Sequence, residues 1–142
     1  MANRIYTNYN GAGVYAIIDI KNFCAYVGSS SNIKTRLKNH LCLLRLGKHQ
    51  NKQLQQDFNS GAKFDFVVLE KNNANKRLLL AKEYLYMLDM IENGFILYNI
   101  YGGNKKELKN IICHNAMIIL KDKSVYNDLL VKKYKIYKVR KK

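Results

Sequence analysis

The sequence predicts an α/β fold: a small mixed or antiparallel sheet with helices packed on it, followed by a basic helical C-terminal extension. Three observations lead there. Two short apolar, β-branched runs lie next to each other across a turn. Segments with helical spacing of apolar residues alternate with a later strand-like run, in the order β-β-α-α-β-α. The composition then shifts after Gly102 and Gly103, where basic residues accumulate. With 142 residues the chain has room for one modest domain and an appendage.

Residues 13–20 (GVYAIIDI) read as the first strand. Lys21 and Asn22 turn the chain, and residues 23–28 (FCAYVG) read as the second strand of a hairpin. Ser29, Ser30, Ser31 and Asn32 then offer several helix caps, because their side-chain oxygens can accept from otherwise unpaired N–H groups. Over residues 33–46, Ile33, Leu37, Leu41 and Leu44 recur at helical spacing, and Gly47 ends the run. A short helix is expected over 49–58, stopped by Ser60 and Gly61. Residues 63–70 (KFDFVVLE) begin with alternating apolar positions and finish as a buried strand. A longer helix rich in Leu and Met fits 75–93, closed by Gly94, and 95–100 is a short apolar stretch.

The glycine pair divides the chain into residues 1–103 and an extension of residues 104–142. The extension carries 12 basic and 3 acidic residues, so +9 of the net +15. Helices are expected there over 107–120 and 125–135, before a tail ending in Arg140, Lys141 and Lys142.

Charge narrows the function classes. An excess of 25 Lys and Arg over 10 Asp and Glu favours polyanionic partners, because condensed counterions are released from a phosphate chain on binding. Nucleic acid is the first expectation and an anionic membrane surface the second, against the plain alternative of a lysine-rich surface. No run approaches the ~18 consecutive apolar residues of a membrane span. Met1, Ala2, Asn3 and Arg4 lead into polar sequence without a secretory core, so a cytoplasmic or otherwise intracellular location is expected. Cys24, Cys42 and Cys113 are odd in number and far apart, which fits neither a disulfide framework nor paired zinc ligands. They are expected to be small buried hydrophobes, with no structural zinc.

Gly13-Val14-Tyr15 is followed after ten residues by Tyr26-Val27-Gly28. The segment from Ser29 to His40 leads into the first helix with Arg36 and His40 four residues apart. Glu83 lies on the long helix, and Asn99 stands in Tyr98-Asn99-Ile100. In order, spacing and context these features resemble the GIY-YIG nuclease family over about residues 13–100, with Val14 where the family usually has Ile. His49, just beyond the first helix, resembles the homing-endonuclease branch and similar free-standing phage nucleases.

The resemblance implies a DNA endonuclease with one divalent ion, Mg2+ or Mn2+, in each active site. It implies Tyr15 as the general base, with Tyr26, Arg36, His40, His49, Glu83 and Asn99 completing the catalytic set and Glu83 as metal ligand. The residues fit such chemistry. Phosphodiester hydrolysis needs an activated nucleophile, neutralised phosphate charge and help for the leaving oxygen. An ordinary tyrosine has a pKa of about 10, so a basic Tyr15 needs neighbours that favour the phenolate. Arg36 and His40, one helical turn apart, share a face. Arg36 can fork onto phosphate oxygens, while His40 can orient Tyr15 or accept its proton. A lone carboxylate holds magnesium if water and phosphate oxygens complete the shell. Glu70, Asp89 and Glu92 are competing acids, and no second carboxylate lies within one turn of Glu83 on its helix.

Ser29, Lys34, Lys38 and Lys48 are expected to hold flanking phosphates, as are Lys132, Lys133 and Arg140 in the tail. Taken singly, each residue has a plainer reading: Tyr15 and Tyr26 as strand formers, Arg36 and Glu83 as solvated helix charges, His40 as a structural histidine, Asn99 as a turn residue. The alternatives at the level of the whole protein are a restriction or repair-type nuclease of the same family, and a catalytically inactive DNA-binding module. The oligomeric state is left open.

Overall fold

The structure, a computed structural model, describes residues 4–5, 7–73, 75–100 and 105–120. In chain order the elements are β1 (Arg4–Ile5), β2 (Gly13–Asp19), β3 (Cys24–Ser30), α1 (Ile33–Leu46), α2 (Lys52–Asn59), β4 (Asp65–Lys71), α3 (Lys76–Glu92), β5 (Ile96–Leu97) and α4 (Lys105–Leu120). The strands form one mixed sheet in the order β1-β4-β2-β3-β5. The central strand β2 runs antiparallel to both β3 and β4, while β1 joins β4 and β5 joins β3 in parallel.

Helices cover both faces of this sheet. Tyr15 and Ile17 of β2 pack with Ile33, Leu37, Leu41 and Leu44 of α1 and Leu54 of α2. Val14 of β2 and Val27 of β3 pack on the other side with Leu79, Met87, Leu88 and Ile91 of α3. This double cover explains the sequence of β2. A strand buried on one face alternates apolar and polar residues, whereas Gly13 to Ile17 are buried without a break.

The caps decide where the helices begin and end. Asn32 accepts the Thr35 N–H at the start of α1, and Gly47, at φ 73°, closes its end in the left-handed region that glycine enters without penalty. The expected start of α2 at His49 moves to Lys52, because the Asn51 side chain accepts the Leu54 N–H and makes Asn51 the cap. His49 and Gln50 therefore belong to the loop between α1 and α2. β1 escaped the sequence reading, and the 95–100 stretch contracts to the two residues of β5.

The expectation of three buried cysteines fails at Cys42, which is exposed on the outer side of α1, while Cys24 is buried and Cys113 half-buried. Beyond the glycine pair, α4 packs on α3. Ile112 is buried in the same cluster as Val14 and Val27, with Leu108 and Cys113 against it. Lys109 forms an ion pair with Glu92. The expected helix over 125–135 and the tail with Lys132, Lys133 and Arg140 lie outside the described residues. Among the described residues no helix is long and apolar enough to cross a membrane.

Candidate active site

Strand register brings the two tyrosines together. Tyr15 lies opposite Gly28 and Tyr26 opposite Ile17, so the rings stand diagonally across β2 and β3 on one face. Gly28 is a steric requirement of this arrangement: a Cβ there would collide with the Tyr15 phenol. One face of α1 brings His40 to the same place, and its Nε2 lies 2.7 Å from the Tyr15 hydroxyl. The His40 ring also meets the Tyr26 ring edge-on at 5.3 Å between centroids. Tyr15 and His40 are each only 1% exposed.

The α1–α2 loop adds His49. Its Nε2 lies 2.7 Å from His40 Nδ1, and the two rings stack at 5.0 Å. Three bonds fix this loop. The Asn51 N–H donates to His49 Nδ1 at 3.0 Å, the His49 N–H donates to Gln55 Oε1 at 3.0 Å, and Asn51 Nδ2 donates to the Tyr98 carbonyl at 2.8 Å. Sequence reasoning missed Asn51 and Gln55. Asn51 carried a readable signal as a helix cap, but nothing in its neighbourhood marks Gln55 as a buried glutamine.

Asn99 binds the backbone of the strand that carries Tyr26. Its Oδ1 accepts from the Val27 N–H at 2.9 Å and its Nδ2 donates to the Val27 carbonyl at 2.7 Å. A side-chain amide thus continues the β3–β5 pairing. Glu83 comes from α3, and its Oε2 accepts from the Ser29 hydroxyl at 2.8 Å. Ser29, expected against phosphate, has its hydroxyl turned to this carboxylate. Two competing acids have other partners: Glu70 binds Lys82 at 3.0 Å and Tyr86 at 2.8 Å, and Glu92 binds Lys109.

A cleft of about 370 Å³ opens over the site, lined by Tyr26, Arg36, His40, His49, Asn51 and Asn99. Arg36 is exposed at its edge, as are Lys38 and Lys48 further along α1 and beyond its end, and Lys34 is half-buried.

Burial governs the protonation of these groups. It pushes Tyr15 above the ordinary tyrosine value, with Tyr26 adding to the shift and Arg36 opposing it. Tyr26 is raised by burial and then by Glu83, again against Arg36. His40 is pressed down to about 3 by burial, by Arg36 and by His49. His49 is lowered by burial and by Arg36. Glu83 is raised to about 7 by burial, although Ser29 and Arg36 favour its ionised form.

The site therefore holds neutral phenols and imidazoles beside a carboxyl poised between its two forms at neutral pH. A cation beside Glu83 would restore its charge and draw both phenols down. Among the described residues no group of three or more His, Cys, Asp or Glu side chains could enclose a metal. The donor set suits a hard ion that keeps most of its shell as water and substrate oxygen, as magnesium does.

A family profile described as the GIY-YIG catalytic domain matches residues 11–90. Intron-associated endonuclease 1 of Enterobacteria phage T4 is 31% identical over 80 residues, which are 56% of this chain and 33% of that protein. The chain thus spans one third of the length of this curated relative. The solved catalytic domain of homing endonuclease I-TevI superposes with a TM-score of 0.54 at 29% identity, over 57% of this chain and 89% of that one. A glutamate-to-alanine mutant of the same intron endonuclease domain gives a TM-score of 0.54 at 28% identity, over 64% and 98%. With the profile covering more than half of its residues, and the paired tyrosines and glycines lying inside that match, the chain belongs to the GIY-YIG family.

Proposed function

We propose that this chain is a metal-dependent endonuclease that hydrolyses DNA phosphodiester bonds, of the homing or free-standing phage type, with Tyr15 as its general base. One observation carries the reading: a buried phenol, held by His40 at 2.7 Å, has Arg36 and Glu83 among its charged neighbours, beside an open cleft lined by Tyr26, Arg36 and His40. Catalytically idle relatives have no need to keep that combination.

In the proposed reaction the Tyr15 phenolate takes a proton from water as the water oxygen attacks phosphorus. The bond from phosphorus to the 3′ oxygen then breaks, and that oxygen takes a proton from solvent, leaving a 5′ phosphate and a 3′ hydroxyl. Arg36 forks onto the non-bridging oxygens, where charge accumulates. Tyr26 hydrogen-bonds at the same phosphate. Glu83 would hold the Mg2+ or Mn2+ ion, which when bound supplies positive charge at the leaving oxygen. Lys34, Lys38 and Lys48 hold flanking phosphates and position the strand without reading bases. One site per chain cuts one strand, so a double-strand break takes two chains or two visits.

Supercoiled plasmid incubated with Mg2+ or with chelator tests the reading, beside a Glu83→Ala variant. The expected result is nicking that needs the metal and falls at least about 100-fold in the variant. Cleavage by the variant at the wild-type rate, or by the wild type in chelator, would refute it.

A further inference from the structure

The protein carries a hydrogen-bond chain whose direction is set at one end. It runs from the Asn51 N–H to His49 Nδ1, from His49 Nε2 to His40 Nδ1, and from His40 Nε2 to the Tyr15 oxygen. We propose that His49 is a positioning residue that fixes the tautomer of His40, so that His40 donates its Nε2–H to Tyr15 and does not accept the Tyr15 proton.

The argument is one of donors and acceptors. A backbone N–H can only donate, so the Asn51 amide, 3.0 Å from His49 Nδ1, meets a lone pair there. A neutral imidazole has one bare and one protonated nitrogen, and the proton of His49 is therefore on Nε2. That proton points along the 2.7 Å contact to His40 Nδ1, which must be bare in its turn. The proton of His40 then sits on Nε2, 2.7 Å from the Tyr15 oxygen. Each link follows from the one before it.

The start of the chain is held rigidly. Asn51 Oδ1 accepts the Leu54 N–H, and Asn51 Nδ2 donates to the Tyr98 carbonyl. Gln55 is buried, accepts the His49 N–H, and donates to the Leu44 carbonyl and to Asn59. The charged and titratable groups around the pair are Arg36 from α1, Tyr15 from β2 and Tyr26 from β3. Burial and Arg36 keep both imidazoles neutral, as the tautomer argument requires.

The consequence falls on Tyr15. With Nε2 already protonated, His40 has no lone pair facing the phenol. The Tyr15 proton cannot pass to His40 and goes to solvent water, and the resulting phenolate accepts the His40 N–H, which stays on nitrogen. His40 is thereby a stabiliser of the base and not a relay for its proton. This use of the tautomer rests on the proposed role of Tyr15, whereas the tautomer itself does not.

Histidine side-chain 15N spectra of the full chain at neutral pH test the inference directly, with His40 and His49 assigned by substitution. Both rings are expected to show a protonated Nε2 and a bare Nδ1, whether or not the protein cuts DNA. A His40 protonated at Nδ1 would overturn the proposal. Two variants add a functional arm. His49→Gln keeps an N–H for His40 Nδ1, and its 15N spectrum should keep His40 protonated at Nε2. His49→Glu offers only acceptors, so it should turn His40 to the Nδ1–H tautomer and lower kcat by about 100-fold or more. Retention of the wild-type tautomer in His49→Glu would equally count against the proposal.

Discussion

Tyr15 occupies a place where a phenol is hard to ionise, so its proposed role as base depends on its neighbours. Arg36 opposes the upward shift, His40 contacts the oxygen, and Glu83 would hold the proposed cation. Glu83 gives a test at neutral pH. Its folded value of about 7 lies above the ordinary 4.5, so the folded protein binds a proton more tightly than the unfolded chain between those values. In chelator, the contribution of this group is present below pH 4.5 and is lost as pH rises toward 7. His40 acts in the opposite sense, since its folded value near 3 lies below the ordinary 6.5 and its contribution is lost as pH falls. Thermal melts of wild type and Glu83→Gln in chelator, compared across pH, isolate the carboxyl. The variant should gain stability relative to wild type as pH rises through that window, and parallel curves would contradict the assignment. Residues spaced along one element were legible in the sequence: Arg36 and His40 share a face because they are four apart on α1. The contact between His40 and His49 was not, because a loop of variable shape joins them.

At the scale of elements, the hairpin and the helices were legible wherever apolar period and caps agreed. α1 falls at 33–46 as read, since its four apolar positions and Gly47 leave little choice. β1 and β5 were not legible as strands, because two residues carry no period and their pairing comes from neighbours distant in sequence. The start of α2 was misplaced because the Asn51 cap outweighs the helix-compatible residues before it. Two substitutions test what these elements hold. Gly28→Ala drives a methyl into the Tyr15 ring and should cost about 1–3 kcal/mol in chemical denaturation, as overpacking does. A wild-type midpoint for that variant would contradict the close approach. Ile112→Ala opens a cavity where α4 packs on α3, and should cost about 2–5 kcal/mol in one cooperative transition. A separate early transition would instead mark α4 as an independent unit.

Over the whole molecule, charge and fold act together. The +15 net charge was plain from composition, and the structure leaves Arg36 and Lys38 of α1 and Lys48 beyond its end exposed, with Arg36 lining the cleft. Removal of residues 121–142 takes away nine Lys and Arg side chains. It should weaken binding to all DNA sequences alike, by about tenfold or more at moderate salt, and flatten the salt dependence. Fluorescence anisotropy against salt reads both effects, and a loss confined to one sequence would point to base reading by that segment.

The central claim is that the Tyr15 oxygen takes the proton from the attacking water. It is tested most directly by single-turnover cleavage of plasmid by Tyr15→Phe at saturating Mg2+, with DNA affinity and melting measured in parallel. Removing one oxygen from a buried ring should lower the rate by at least about 100-fold while binding and fold are kept. Cleavage by Tyr15→Phe within a few-fold of wild type would show that the base is another group.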